Sequence, residues 1–182
     1  MRARYLLAAV ASTVVVGVVL ATTPQPVGAT QQALAAFLPK AGEVAGWQIV
    51  AKSDAYAPNP GKLSVIYDGG DGAYIKAGVT ECLSRTYQSG KTYLTVRVHK
   101  LGTSTAKAKA FYTAKQGTIK KANGYTTVAV KDGGCYAPSG GLTVGFSYTK
   151  YYVVTYVATT THAQGATKAF IQKVAGKMAR AG

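Results

Sequence analysis

The sequence predicts an α+β domain, an antiparallel sheet with helices packed on one face. Three observations carry this. Residues 93–99 alternate apolar and polar side chains with the period of a strand, strand-like segments come in pairs around short turns, and each pair is followed by a segment of helical period. The order is therefore strands, helix, strands, helix. Both parts open on Asp-Gly-Gly (Asp68 to Gly70, Asp132 to Gly134) and close on a helix with Lys-Ala-Phe (Lys109 to Phe111, Lys168 to Phe170). The chain thus reads as two ββα-like halves. The sequence leaves open whether this is a duplication or a recurrence of common turn and helix compositions.

Element by element, residues 30–38 read as a short helix with Leu34, Phe37 and Leu38 on one side and Pro39 just past its end. A Gly-containing turn over 41–47 leads to Trp47, a core anchor, and 56–61 is loop by composition. Strands are expected near 83–87 and over 93–99, with Ser89-Gly90-Lys91 as the turn between them. In the second strand Leu94, Val96 and Val98 face the core, and Tyr93, Thr95, Arg97 and His99 face away. A helix starts at Thr103 or Ser104, either a good N-cap, and ends near Gly117, with Ala106, Ala110, Phe111 and Ala114 expected inward. Further strands are expected over 125–131, 142–148 and 151–159. A last helix over 164–180 turns Ala166, Phe170, Val174 and Met178 to the core.

Ahead of this domain, residues 1–29 read as a secretory signal peptide. Arg2 and Arg4 form the charged start, 6–20 are largely apolar, and Val27-Gly28-Ala29 offers small residues for cleavage. One domain, 30–182, remains, and its expected location is periplasmic or extracellular. In an oxidising compartment Cys82 and Cys135 are expected to form a disulfide, closing a loop of about 54 residues and contributing about 4 kcal/mol.

The charge is strongly positive, with 21 Lys and Arg against six acids. Residues 82–131 hold ten basic residues and no acid. Such a run cannot neutralise itself locally and favours an anionic partner. The candidate anion-binding residues are Arg97, Lys100, Lys107, Lys109, Lys115, Lys120 and Lys121. The partner could be an envelope polymer, a lipid head group or an acidic protein, and nothing in the sequence specifies a nucleic acid.

Leu38-Pro39 and Gly46-Trp47, then Asp68-Gly69-Gly70 with Tyr74 and Gly78, resemble a family of uncharacterised bacterial secreted proteins that share a Leu-Pro…Gly-Trp start and an Asp/Asn-Gly-Gly segment. Val96-Arg97-Val98, the Gly102 turn and Ala110-Phe111-Tyr112 extend the resemblance over most of the exported part, while Asp71 and Ala77 depart from it. The resemblance implies an exported α+β protein and no particular activity.

Signals for catalysis or metal binding are weak. Asp68-Gly69-Gly70-Asp71-Gly72 lacks the further acids and the bidentate Glu of a calcium loop and reads as a tight turn. It also lacks the Lys-Ser/Thr of a phosphate-binding loop. His99 and His162 read as solvated or capping residues. Tyr87, Tyr93, Tyr112, Tyr125, Tyr148, Tyr151, Tyr152 and Tyr156, interleaved with Lys, are the residue types of an aromatic platform for sugars or single-stranded nucleic acid, but with nothing to place the rings in one patch they read as half-buried sheet residues. No catalytic residue, metal ligand or cofactor is indicated. The expected function is a non-enzymatic exported binding or structural module with a basic surface; the alternative is a secreted hydrolase with an unrecognised site.

Overall fold

The structure, a computed structural model, describes residues 27–181. The leader expected over 1–29 lies outside them except for its last three residues. In chain order the elements are α1 (Val27–Phe37), β1 (Gln48–Ile49), β2 (Ala55–Ala57), α2 (Ser64–Tyr67), α3 (Gly72–Lys76), β3 (Glu81–Ser89), β4 (Thr92–Lys100), α4 (Thr105–Ile119), β5 (Thr126–Val128), β6 (Gly134–Ser139), β7 (Leu142–Thr149), β8 (Tyr152–Ala158) and α5 (Gln164–Arg180). Among the described residues no helix is long and apolar enough to cross a membrane.

Among the described residues eight strands form one antiparallel sheet in the order β1-β3-β4-β8-β7-β6-β5, with β2 also pairing β3. Three two-residue hairpins fix its registers. Ser89 pairs with Thr92 around Gly90 (φ 55°), and Thr149 pairs with Tyr152 around Lys150 (φ 49°). Ser139 pairs with Leu142 around Gly140 and Gly141, both at positive φ, which matches the twist of the flanking strands. The central pair β4–β8 joins residues more than fifty apart in sequence, for example Val98 with Val154.

The antiparallel α+β class is as expected, but the helices cover both faces of the sheet rather than one. Leu83, Val96, Val98, Val154 and Tyr156 form one core with Phe170, Ile171, Val174 and Met178 of α5 and Leu34 and Phe37 of α1. On the other face Cys82, Val153, Phe146 and Cys135 form a second core with Ala108, Phe111, Tyr112 and Ile119 of α4 and Leu63 and Val79 of the α2–α3 segment. Adjacent residues on β7 show the division. A Cβ on Gly145 would meet Thr167 and Ile171 of α5, whereas the next residue, Phe146, packs with α4. The two ββα units, β3-β4-α4 and β7-β8-α5, therefore place their helices on opposite sides.

Within α4 the N-cap is Ser104, whose hydroxyl accepts from the Lys107 N–H at 3.2 Å. Its buried stripe is Ala108, Phe111, Tyr112 and Ile119, while Ala106, Ala110 and Ala114, expected inward, are exposed. Burying Tyr112 and Ile119 removes far more apolar surface than burying three methyl groups, and this rotates the helix. The last helix buries Phe170, Val174 and Met178 as expected.

Cys82 and Cys135 do not form the expected disulfide: both are free and buried. Cys82 lies on β3 and Cys135 on β6, with β4, β8 and β7 between them. Four strand spacings amount to about 19 Å, far beyond the Cα separation a disulfide tolerates.

Candidate functional site

The β4 row expected to face away from the core, Arg97 and His99, lies under α4 and the α2–α3 segment. His99 is completely buried, not solvated or capping. Its Nδ1 stands 2.9 Å from the Val153 carbonyl, which can only accept, so Nδ1 carries the proton and Nε2 accepts from the Tyr67 hydroxyl. The Cys82 thiol lies 3.6 Å from the same hydroxyl oxygen. The result is a closed relay from Cys82 through Tyr67 and His99 to the backbone of β8.

Aromatic contacts hold this relay in place. Tyr74 stacks on Tyr67 with ring centroids 3.9 Å apart and on His99 at 5.3 Å, and Phe111 meets Tyr74 edge-on at 5.7 Å. The Arg97 guanidinium sits 5.5 Å from the Tyr67 ring centre, and the Lys115 ammonium 4.5 Å from that of Tyr74. Among the described residues the buried Arg97 Nε has no hydrogen-bond partner. Burial pushes His99 down to about 3, the nearby charges of Arg97 and Lys115 acting in the same direction, so the imidazole is neutral. Burial likewise pushes the Cys82 thiol up to about 12 and raises Tyr67. A protonated thiol at a neutral, enclosed imidazole is a poor nucleophile.

Above this network, α3 and α4 flank an open groove of about 440 Å³. Ala73, Lys76 and Ala77 form one wall. Lys107, Ala110, Phe111, Ala114, Lys115 and Thr118 form the other, so among the described residues no carboxylate lines the groove. Phe111 and Lys115 belong to both the groove and the network, which joins the groove wall to the buried layer. The outward rotation of α4 exposes the alanines that line it. Gly78, one of the residues carrying the family resemblance, has φ 87° and brings the backbone against Lys107: an added Cβ would lie 3.3 Å from Lys107 Cδ.

The seven candidate cations do not form one patch. Lys107 and Lys115 line the groove; Lys109, Lys120 and Lys121 are exposed but outside its lining. Arg97 is half-buried against Tyr67 and does not extend the exposed helix face. Lys100 is engaged with Glu81 at 2.6 Å. Lys76, a groove residue, was missed because the turn chemistry of residues 68–72 concealed the short helix it ends. Asp68-Gly69 forms a left-handed turn (φ 48° and 84°), and among the described residues no three His, Cys, Asp or Glu stand together as a metal site. The tyrosines form no single platform: Tyr87, Tyr112 and Tyr156 are buried, and Tyr93 is exposed.

No protein-family model matches the sequence, and no curated protein matches it. The fold is similar to that in the crystal structure of the extracellular domain of PknH from Mycobacterium tuberculosis. The TM-score is 0.55 at 16% identity, with 82% of this chain and 96% of that chain covered. At that identity the likeness establishes a shared fold and nothing of ligand or activity.

Proposed function

We propose that the chain is an exported, non-enzymatic module that binds an anionic ligand through the exposed lysines of α4 and its C-terminal end, Lys107, Lys109, Lys120 and Lys121. The observation that carries this reading is the absence of local neutralisation. The ion pairs among the described residues, Arg85–Asp54, Lys100–Glu81 and Lys177–Glu43, lie elsewhere. Among the described residues Lys107, Lys109, Lys120 and Lys121 have no carboxylate at ion-pair distance. Export is supported by the charged, apolar and small-residue sequence of the leader, and the likeness to an extracellular domain is compatible with it. The enclosed, protonated state of the Cys82–Tyr67–His99 relay favours binding over hydrolysis.

The test is retention of the exported chain on immobilised heparin at low ionic strength. Exposed charge contacts are screened over about 8 Å at physiological salt, so elution should be steep. Reversing Lys107, Lys109, Lys120 and Lys121 to Glu should abolish retention without unfolding the protein. Reversing Lys168, Lys173 and Arg180 on α5 should preserve most of it. Lys177 is unsuitable for that comparison because it also holds Glu43 and the Leu38 carbonyl. Equal loss in both variants, or flow-through of the unaltered protein, overturns the proposal.

A further inference from the structure

Resting on the reading that the ligand is anionic, we infer that the α3–α4 groove takes a single-chain anionic amphiphile, an alkyl chain ending in a phosphate. A polymer or an inorganic ion would use the lysines alone. This groove adds an apolar floor, Ala73, Ala77, Ala110, Phe111 and Ala114, and brings Lys76 and Lys107 to it from opposite walls. A chain lying over the alanines replaces water there, while the two ammonium groups meet the head group.

Size and charge select this occupant. The α4 wall from Lys107 to Thr118 is about 16 Å long, the reach of a medium alkyl chain. A volume of 440 Å³ belongs to the small-ligand range and is too slight to seat a helix about 10 Å across. With cations and no carboxylate in the lining, the groove complements an anion and disfavours a cationic amphiphile. Phe111, part of that floor, is held edge-on by Tyr74 and His99, so the apolar surface is formed before any ligand arrives.

The experiment is calorimetric titration of the exported chain with dodecyl phosphate, dodecyl maltoside and inorganic phosphate, each below any micelle-forming concentration. Dodecyl phosphate should bind at least about tenfold more tightly than either of the others, because only it satisfies both floor and rim. Ala114→Trp fills the groove from an exposed helix position and should weaken dodecyl phosphate by about tenfold or more while leaving heparin retention intact. Lys76→Gln with Lys107→Gln should remove the preference over the maltoside. Equal binding of phosphate and maltoside amphiphiles, or an unaltered affinity in folded Ala114→Trp, overturns the inference. So does concentration-dependent self-association abolished by Ala114→Trp, which would make a second copy the occupant. Retention on heparin without dodecyl phosphate binding sinks this inference alone; loss of both sinks the anionic-ligand reading as well.

Discussion

Acidifying the folded protein from about pH 7.5 to about pH 5 should lower its stability by about 2 kcal/mol, a loss that originates at His99. The imidazole is enclosed by Tyr67, Tyr74, Cys82, Phe111 and the Val153 carbonyl, with the charges of Arg97 and Lys115 beside it. Burial foremost, and then the charges of Arg97 and Lys115, disfavour a second proton; the hydrogen bond to the Val153 carbonyl acts the other way and is outweighed. In the native state the group therefore titrates at about 3, whereas in the unfolded chain it returns to about 6.5. Between those values the unfolded state binds the extra proton and the native state does not. The contribution is therefore complete above about pH 6.5 and is lost progressively as pH falls toward 3, at about 1.4 kcal/mol per unit. From 6.5 to 5 this gives about 2 kcal/mol. Glu43, held low by its hydrogen bond to Lys177, acts at lower pH and does not confuse the window. Urea unfolding followed by circular dichroism at about pH 7.5, 6 and 5 measures the slope, and His99→Gln should abolish it. If that variant does not fold, the His99 Cε1–H resonance of the unaltered protein provides the check and should stay fixed between about pH 8 and 5. A flat stability profile, or a His99 resonance that titrates near 6.5, refutes the buried neutral assignment.

Two other outcomes follow from the packing. Protein purified without reductant should show two free thiols when unfolded in guanidinium, and neither should react rapidly in the native state, since Cys82 and Cys135 are both buried; a thiol count of zero would contradict the separation by three strands. Gly145→Ala should destabilise by about 1–3 kcal/mol, because its methyl would lie 2.8 Å from Thr167 Cγ2, whereas Gly117→Ala on α4 meets nothing within 4 Å and should stabilise by about 0.5–1 kcal/mol. Urea midpoints that move together in the two variants would show that α5 does not press on β7 as described.

What the sequence by itself determined is what short-range physics controls. The alternation of residues 93–99 marks a strand whatever packs on it, and Ser104 caps α4 because its side chain reaches an N–H three residues on. The hairpins at Gly90 and Lys150 need only local turn geometry. Strand β6 escaped this logic because Gly134 and Pro138 suppress its pattern. Pro138 is tolerated beside Gly124, beyond the last β5 pairing at Thr126–Tyr136. The tertiary structure decided everything that depends on which surfaces meet. Periodicity shows that two faces of β4 differ, but not that both are covered, so His99 read as solvated until Tyr67 and Tyr74 arrived from a segment hidden behind Asp-Gly turns. Sheet order placed β4, β8 and β7 between the cysteines, a long-range pairing no spacing reveals. The groove exists for the same reason: alanine is nearly indifferent to burial, so the side of α4 that faces solvent was chosen by Tyr112 and Ile119 finding the sheet.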